Sequence, residues 1–269
     1  MRNFLIFLLS IVLLTAVIVW IRYGGGGAFA DTTTTPLLGD AVEQKLLTYA
    51  EPIGNVAVSD DGRIFFTAHP QGRPRGNKML EWVNGAAVPY PNGTVQPHLF
   101  DAVLGVQIDN QQRIWTIDHG SQGFGQARLL AFSLVTNELV HDHGFRSEIA
   151  PAGSFLHDLR ISPDGRFVII ADGSVLRKSP AIVVYDIEQR RARRILEDDR
   201  SLEAGPYKTV HPSRELSFLG GLFVYKSGIA SLEIGADGNW IYYGAYNQPD
   251  LYRIPLAAVL DPVMTDDSL

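Results

Sequence analysis

Residues 159–169 read Leu-Arg-Ile-Ser-Pro-Asp-Gly-Arg-Phe-Val-Ile, two apolar runs joined by a tight turn. An Asp-Gly pair between strand-like runs predicts a β-hairpin, because the turn requires positive φ angles that glycine adopts without strain. The same arrangement recurs at 56–66, 106–116 and 232–242, each time with an apolar run on both sides of a polar turn. The sequence therefore predicts four similar hairpins.

The spacing of these hairpins indicates a repeat. The four turns lead into positions 63, 113, 166 and 239, which are 50, 53 and 73 residues apart. A second pair of strand-like runs follows two of the hairpins, at 128–134 with 138–140 and at 181–187 with 193–196. Two hairpins per period give four strands, which fits one blade of a β-propeller. The last interval is longer by about twenty residues, which predicts an insertion there.

The fold class that this repeat predicts is all-β. A parallel α/β sheet needs long amphipathic helices between its strands. The sequence offers only short helical segments, at Ala41–Leu47 and Leu256–Leu260. Residues 42–260 hold four hairpin signals, so about four blades are expected. Because propellers with this repeat length usually close with more blades, we expect the propeller domain, residues 42–269, to be incomplete.

The composition excludes several functional classes. The chain has 269 residues, of which 46% are hydrophobic and 19% charged, enough apolar residues to bury a core. The formal net charge of −6 leaves no basic excess for a phosphate backbone, so nucleic acid is not an expected partner. There is no cysteine, so the chain cannot form a disulfide, a thiolate zinc site, an iron–sulfur cluster or a cysteine nucleophile.

Residues 1–30 are interpreted as a signal peptide or a membrane anchor. Residues 4–21 are an uninterrupted apolar run of 18 residues, long enough to cross a bilayer. The Ala-Phe-Ala sequence at 28–30 fits a signal-peptidase site, whereas the length of the run favours an uncleaved anchor. In both cases we expect the body outside the cytoplasm, secreted or periplasmic, with the membrane contacted only through an uncleaved N-terminal segment. Residues 31–41 are expected to be a flexible linker.

Hairpin geometry places a candidate site at one rim of the propeller. In each hairpin the start of the first strand lies beside the end of the second strand, opposite the turn. If the hairpins are the innermost strands of their blades, polar residues at these ends surround the mouth of a central channel, where such folds bind ligands. Any one of these polar residues is equally well explained as a hydrogen-bonding group at a strand end. The evidence for a binding site is that they all lie at the same rim. The candidate ligand-binding residues are Asn55, His69, Asp118, His119, His157, Asp158, Asp172, Tyr246 and Asn247.

Three other motifs carry weaker signals. His141 and His143 lie on one strand face with a spacing that suits metal ligands, but a solvated outer edge explains them better. The glycines at 120, 123 and 125 resemble a phosphate loop only loosely, and no following helix is expected to supply amide donors. The chain has no Gly-x-Ser-x-Gly motif, so a serine hydrolase is not supported.

Residues 52–261 resemble the major royal jelly protein/yellow family. The motifs are Pro52–Val56, Arg63–Phe66, Arg113–Gly120, Leu129–Phe132 and Leu251–Pro255, of which Arg113–Gly120 is the most specific. The resemblance implies a secreted six-bladed propeller whose channel holds small aromatic amines, and insect members are linked to dopachrome conversion. This chain lacks the cysteines that animal members pair, which is similar to a bacterial branch, and it carries about four of the six blades expected.

The resemblance implies that the function is binding of a small organic ligand, an aromatic amine or a quinone-like molecule, at the channel mouth. Neither a cofactor nor a metal is expected. The alternative is an enzyme, either a lactone hydrolase or a dopachrome-type tautomerase. In that case Asp118, His119, His157 and Asp158 are the candidate acid–base groups.

The lactone-hydrolase alternative rests on a more distant similarity to gluconolactonase-like propellers. In that family a glutamate, an asparagine and an aspartate hold a calcium ion, which prefers oxygen ligands. The matching positions here are Glu51, His157 and Ser227, so two of the three ligands are replaced. This substitution argues against a calcium-dependent lactonase, although Asp118, Asp158 and Asp172 remain as carboxylates for a different metal site.

Overall fold

The computed structural model describes residues 1–30, 44–211 and 214–263, and antiparallel sheets form the body of the protein. The chain begins with a long helix, α1 (Arg2–Tyr23). Blade 1 contains β1 (Ile53–Val58), β2 (Ile64–Ala68), β3 (Met79–Val83) and β4 (Ala86–Pro89). Blade 2 follows a short helix, α2 (Gln96–Leu99), and contains β5 (Val103–Ile108), β6 (Arg113–Asp118), a helical turn α3 (Gly120–Gly123), β7 (Arg128–Ser133) and β8 (Leu139–Gly144).

Blades 3 and 4 are separated by the predicted insertion. Blade 3 contains β9 (Leu156–Ile161), β10 (Phe167–Asp172), β11 (Ala181–Asp186) and β12 (Arg191–Ile195). The insertion holds two small hairpins, β13 (Val210–His211) with β14 (Arg214–Glu215) and β15 (Ser217–Phe218) with β16 (Phe223–Val224). Blade 4 contains β17 (Ile229–Ile234), β18 (Trp240–Ala245) and β19 (Tyr252–Pro255), followed by helix α4 (Leu256–Leu260). The fold is therefore all-β with four propeller blades, as predicted.

The four predicted hairpins are the inner strand pairs of the blades. The first strands β1, β5, β9 and β17 contact one another in this order, so they lie nearest the common axis. Each pairs antiparallel with the next strand of its blade, as in the pairs Ile161 with Val168 and Ile234 with Ile241. The four turns consequently lie on one rim, called the turn rim below. The opposite ends of these strands form the other rim, called the mouth rim.

Apolar side chains between neighbouring blades hold the ring together. Trp115, Leu156 and Tyr185 are fully buried between blades 2 and 3, and Ile182 and Ile241 between blades 3 and 4. The middle strands are apolar on both faces, because each face packs against an adjacent blade. Full burial of one large apolar side chain contributes roughly 1.5–3 kcal/mol, so these contacts dominate the stability of the ring.

The N-terminal helix lies outside the propeller core. None of its residues is buried, and it is the one helix in the described part of the chain that is long and apolar enough to cross a membrane. This agrees with a signal or anchor segment. The predicted linker at 31–41 lies outside the described residues. Of the short helices expected, α4 is present, whereas residues 44–47 are irregular and residues 41–43 lie outside the described part.

Candidate functional site

Each inner strand carries a β-bulge at its mouth end. The pairing shifts by one residue between Ile53 and Val56, between Val103 and Gly105, between Leu156 and Asp158, and between Ile229 and Ser231. A bulge adds one unpaired residue and redirects its side chain. The residues at these shifts include Asn55, Leu104, His157 and Ala230, and all four line one cavity of about 350 Å³. The bulges therefore build the mouth of the channel.

A larger cleft adjoins this mouth cavity. It has a volume of about 1110 Å³ and lies among the loops after β2 and β6 and the β15–β16 hairpin of the insertion. His69 and Tyr225 line both cavities. The cleft wall also includes the rings of Phe124, Phe218 and Phe223 and the charged residues Arg73, Lys78 and Asp101. A concave, largely apolar site with a few polar groups is typical of small-molecule binding.

Asp118 holds the backbone of the mouth rim instead of facing the cavity. Its carboxylate accepts hydrogen bonds from the backbone N–H groups of Asp101 (2.6 Å), Ala102 (2.9 Å) and Gly120 (2.9 Å). The side chain is buried, and burial raises the pKa of its carboxyl group against the opposing effect of these donors. Asp118 ties the end of β6 to the segment that leads into β5. In this structure the carboxylate is occupied by the protein's own backbone, and the ligand contact predicted for Asp118 stays a prediction.

Equivalent clamps recur in blades 3 and 4. Asp172 accepts a hydrogen bond from the backbone N–H of Phe155 at 2.6 Å and forms an ion pair with Arg194 at 2.8 Å. Asn247 accepts a hydrogen bond from the backbone N–H of Ser227 at 3.1 Å. Both clamping side chains are fully buried. Each of these side chains joins the end of a second strand to the start of the first. The ligand-binding role of Asp172 and Asn247 stays a prediction.

His119 is buried at the wall of the larger cleft with one ring nitrogen unpartnered. Its Nδ1 accepts a hydrogen bond from the backbone N–H of Gln122 at 2.9 Å, so the neutral ring carries its proton on Nε2. Nε2 is buried and has no hydrogen-bond partner among the described residues. Burial, with the nearby positive charge of His157, lowers the pKa of His119 to about 4. At neutral pH the imidazole is therefore an uncharged donor.

The turn that follows His119 has an unusual backbone. Gly120, Ser121, Gln122 and Gly123 all have φ between 50° and 72°, in the left-handed region. This conformation costs roughly 1–2 kcal/mol for each residue that carries a Cβ. The glycines at 120 and 123, which the sequence suggested as a loose phosphate loop, instead permit this left-handed turn. Strain of this kind persists where surrounding contacts enforce it, and it is frequent at binding sites.

Phe155 connects two of the predicted histidines. The ring of His157 stacks on Phe155 with centroids 4.8 Å apart and planes 7° apart, and the ring of His119 lies 4.9 Å from Phe155. His157 Nδ1 lies 3.0 Å from the carbonyl oxygen of Phe155, which can only accept. His69 lines the same mouth cavity, and burial together with the charge of His157 lowers its pKa. The structure thus packs His119 and His157 on one aromatic ring, and His69 lines the same mouth cavity as that ring.

The remaining predicted residues differ in their freedom to bind. Asp158 lines the mouth cavity, but its Oδ1 accepts a hydrogen bond from Arg160 at 2.9 Å, and Arg160 also pairs with Glu233 of blade 4. Asn55 lines the cavity and accepts a hydrogen bond from the backbone of the next residue. Tyr246 is half exposed and meets Tyr225 edge to face at 6.0 Å. Asn55 and Tyr246 are therefore accessible, whereas Asp158 belongs to an ion-pair network between blades.

The positions that correspond to calcium ligands in gluconolactonase-like propellers do not fit calcium. Glu51 lines neither cavity, and its Oε1 accepts a hydrogen bond from the backbone of Arg75. His157 offers nitrogen, and the Ser227 hydroxyl lies against the carbonyl of Gly173 at 3.5 Å. A hard cation requires several oxygen ligands. Within the described ranges, no three His, Asp or Glu side chains are placed to hold a metal ion, and this includes the carboxylates of Asp118, Asp158 and Asp172.

The outer-edge interpretation of the histidine pair at 141 and 143 is wrong for His141. This side chain is buried, and its Nε2 lies 3.0 Å from the hydroxyl of Tyr185 in blade 3. His143 packs on the same ring at 4.5 Å. Burial, with the charge of Arg190, lowers the pKa of His141 to about 4. The outer strand β8 is therefore covered on one face by the next blade, and the pair is a packing element.

Sequence reasoning missed the aromatic residues of the site other than Tyr246, among them Phe155 and Tyr225. Phe155 immediately precedes the predicted strand of His157, so an aromatic at a strand start was the available signal. Tyr225 comes from the insertion, packs against the cluster that contains Leu104 and Phe155, and lines the mouth cavity. No repeat pattern covers the insertion, so the path that brings Tyr225 over the mouth could not be read from the sequence.

Comparison with known proteins places these features in a family. A model of the family described as "Major royal jelly protein" matches residues 102–268, which confirms the resemblance over more than half of the chain. No curated protein matches the sequence.

Solved structures give more distant likenesses. The hydrazine synthase of Kuenenia stuttgartiensis shares 11% identity at a TM-score of 0.50, covering 80% of this chain and 56% of that chain. A gluconolactonase of Xanthomonas campestris shares 12% identity at a TM-score of 0.45, covering 80% and 60%. The periplasmic gluconolactonase of Pseudomonas aeruginosa shares 13% identity at a TM-score of 0.40, covering 78% and 69%. The chain spans less than two thirds of the first two structures, and the likeness to the hydrazine synthase is one of fold alone.

Proposed function

The chain belongs to the major royal jelly protein family, and from this premise we propose that it binds a small aromatic ligand, an amine or a quinone-like molecule, at the mouth of its channel. The observation that carries the proposal is His119 Nε2, a buried N–H group without a partner in the described part of the chain. A buried donor left unpaired costs about 1–3 kcal/mol. A ligand oxygen that accepts this hydrogen bond recovers part of that free energy.

The walls of the two cavities suit an aromatic ring. Phe155 packs against both His119 and His157, and Tyr225 meets Tyr246 edge to face. Such rings favour stacked or edge-to-face contacts with another ring, worth about 0.5–1.5 kcal/mol beyond burial. Asp101 is the one carboxylate among the described residues that line the larger cleft, and it supplies a partner for an amine. This combination supports a ligand with a ring, an oxygen acceptor and, for an amine, a positive charge.

The protonation of His119 favours binding over acid–base catalysis. A general base works best with a pKa near the working pH. The pKa of His119 is lowered to about 4 by burial, so the imidazole is a weak base at neutral pH. Asp118 and Asp158 are engaged by backbone donors and by Arg160. We therefore assign His119 the role of hydrogen-bond donor and do not assign the tautomerase alternative.

Export completes the proposal. Helix α1 is apolar, unburied and long enough to cross a bilayer, and it precedes the propeller. The proposed location of the propeller is outside the cytoplasm, either tethered by α1 or released after cleavage at residues 28–30. Mass spectrometry of the purified N-terminus distinguishes the two forms, since a chain that starts at Asp31 is cleaved and an intact Met1 in the membrane fraction is anchored. Recovery of the full chain in the soluble cytoplasm contradicts both.

Calorimetric titration of the full chain tests the ligand proposal. Tyramine and hydroquinone serve as aromatic probes, and cyclohexylamine serves as the probe without a ring. We expect the aromatic probes alone to bind. His119→Leu should weaken their binding by at least roughly two- to twelve-fold, the range that corresponds to a net hydrogen bond of about 0.5–1.5 kcal/mol, because it also removes the Nδ1 acceptor that holds the turn.

His143→Leu is the matched control, because His143 is partly buried against Tyr185 and lines neither cavity. It should leave the affinity unchanged. Equal affinity for aromatic and non-aromatic probes, or equal loss in both variants, contradicts the proposal.

The lactonase alternative is tested separately with a chelator. A metal-dependent lactonase loses turnover when its metal is removed, because the metal polarises the carbonyl group and activates water. Since Glu51, His157 and Ser227 do not form a calcium site, we expect no chelator-sensitive hydrolysis of a sugar lactone. We also expect EDTA to leave the affinity for the aromatic probes unchanged. Hydrolysis that EDTA abolishes and added calcium restores would establish the enzyme instead.

A further inference from the structure

The C-terminal end of α1 rests against the insertion between blades 3 and 4. The ring of Tyr23 stacks on Phe223 with centroids 5.4 Å apart. The hydroxyl of Tyr23 donates to the carbonyl of Leu176 at 2.8 Å, and Lys226 Nζ donates to the carbonyl of Gly24 at 3.1 Å. The residues that leave a membrane at the end of α1 are therefore packed on the mouth rim.

The tip of the β15–β16 hairpin reaches back along α1. Leu219 and Leu222 of this tip line a groove together with Ala16 and Trp20 of the helix. Ala16 precedes Tyr23 by two helical turns, which is about 10 Å at a rise of 1.5 Å per residue. Interfacial apolar elements lie about 5–10 Å deep in a bilayer. When α1 spans the membrane, the hairpin tip consequently lies at that depth.

The hairpin tip has the composition of a membrane-contacting segment. Residues 218–223 read Phe-Leu-Gly-Gly-Leu-Phe, without a polar side chain. Leu219 is 82% exposed and Phe218 is 55% exposed, next to Trp20 at 54%. Contiguous exposed apolar side chains mark contact sites on soluble domains. Because the adjoining helix α1 is long enough to cross a membrane, the lipid bilayer is the surface that would cover the exposed apolar side chains of this hairpin tip.

Basic residues lie near the hairpin tip, where α1 ends. Arg22, Lys178 and Lys226 lie at the end of α1 and form no ion pair among the described residues, whereas Lys208 nearby pairs with Glu215 at 3.0 Å. The Nζ of Lys178 donates to the carbonyl of Lys226 at 2.8 Å, and burial, with the charges of Lys226 and Arg22, lowers its pKa to about 8, so Arg22 and Lys226 are the cations that this surface presents. Unpaired cations beside a membrane segment attract anionic headgroups.

We propose that residues 218–223 together with Arg22 and Lys226 form a docking surface for an anionic lipid bilayer, which holds the mouth rim against the membrane. Phe218 and Phe223 line the larger cleft as well as this surface. The opening of the cleft therefore lies beside the lipid headgroups. This inference concerns orientation and holds whatever ligand the cleft takes.

Site-directed spin labelling of the intact chain tests the proposal. The sequence has no cysteine, so single cysteine variants are labelled without background. Leu219→Cys reports the hairpin tip, and Leu9→Cys reports whether α1 is inserted. Val135→Cys is the matched control, because Val135 is 75% exposed and lies between β7 and β8 on the turn rim.

The labelled chains are reconstituted in vesicles of phosphatidylcholine with phosphatidylglycerol, and collisions with oxygen and with a water-soluble nickel chelate are compared. We expect the labels at 9 and 219 to favour oxygen several-fold and the label at 135 to favour the nickel chelate. Vesicles of phosphatidylcholine alone should reduce the protection at 219 while that at 9 persists. A protected label at 9 with equal nickel access at 219 and 135 overturns the proposal, as does an unprotected label at 9.

Discussion

His119 combines two roles because its ring nitrogens have different partners. Nδ1 accepts a hydrogen bond from the backbone N–H of Gln122 and so stabilises the left-handed turn, whereas Nε2, at the cleft wall, has no partner among the residues that the structure describes. Because Nδ1 accepts this hydrogen bond, the proton of the neutral ring is on Nε2, which makes Nε2 a donor for a ligand. A side chain that lost the Nδ1 acceptor would therefore disturb the turn as well as the donor. This coupling makes His119 the residue on which the site depends most.

The buried histidines predict how stability changes with pH. Burial lowers the pKa of both His119 and His141 from 6.5 to about 4. Between these values the unfolded chain binds protons that the folded chain excludes. The contribution of these two histidines to the free energy of unfolding is therefore fully present above pH 6.5 and is lost as the pH falls toward 4. One pKa unit corresponds to about 1.4 kcal/mol, so His119 accounts for up to about 3 kcal/mol, and His141, whose charge is better screened by solvent, accounts for less.

Urea denaturation at a series of pH values across this range measures the effect. His119→Leu should flatten the pH dependence, because its share of the proton uptake is removed. An unchanged slope in this variant would assign the acid sensitivity to other groups.

The ion pair between Arg194 and Asp172 predicts a large loss of stability when it is broken. Both side chains are buried, with 7% and 0% exposure. Arg194→Ala leaves the Asp172 carboxylate buried without its counter-ion, which should lower the free energy of unfolding by about 3–5 kcal/mol. Arg166→Ala is the control, since it removes the arginine of a more exposed pair with Asp186 and should change stability little. Comparable losses in the two variants would contradict the clamp.

At the level of single residues, the position of the polar side chains at the mouth rim could be predicted from the sequence, but the direction in which each side chain points could not. Asp118 and Asp172 follow apolar strands, so their placement at strand ends was predictable. Whether such a carboxylate turns to the channel or to the backbone depends on the loop that enters the same blade seventeen residues earlier. That return is a tertiary contact, and no local pattern encodes it.

At the level of elements, the left-handed turn α3 predicts a severe glycine substitution. Gly123 has φ of +72°, and a Cβ added there would lie 2.3 Å from the carbonyl oxygen of Pro151. Gly123→Ala should therefore destabilise the protein by more than the roughly 1 kcal/mol that an unfavourable φ alone costs. It should also weaken the binding of aromatic probes, because the turn positions His119. Thermal denaturation and calorimetric titration measure the two effects.

Gly62→Ala is the matched control for this turn. Gly62 has φ of +86° in the first hairpin turn, and nothing lies within 4 Å of an added Cβ. It should show the cost of the backbone angle alone and leave ligand binding unchanged. Equal stability losses for Gly62→Ala and Gly123→Ala would mean that Pro151 does not enforce the turn.

The bulges show why hairpins were predictable and the cavity was not. Hairpins follow from turn chemistry and alternating apolar residues, both of which are local. A bulge at His157 or Leu104 changes the register by a single residue, and the apolar pattern on either side stays intact. The side chains that the bulges turn into the channel therefore became visible only in the paired strands.

At the scale of the whole molecule, the repeat predicted the ring, and the insertion determines how the mouth is covered. Tyr225 lines the mouth cavity, and Phe223 contacts Tyr23 of α1, and both residues come from one short segment between blades. The sequence showed the length of this insertion but not its path, since none of its contacts follow the blade period. The same segment therefore links the proposed ligand site to the proposed membrane contact.

The distribution of buried strands predicts the pattern of amide hydrogen exchange. The middle strands β6, β10 and β11 are buried on nearly every residue, because blades pack on both of their faces. In β1 and β4, by contrast, most residues are at least partly exposed. Exchange of a buried strand requires opening that approaches global unfolding, whereas exposed strands open locally at lower free energy.

Amides of β6, β10 and β11 should therefore exchange at least about a hundred-fold more slowly than those of β1 and β4, a ratio that corresponds to about 3 kcal/mol. Exchange followed by mass spectrometry resolves these segments in the intact chain, and equal protection of β1 and β10 would show that the ring opens as a single cooperative unit.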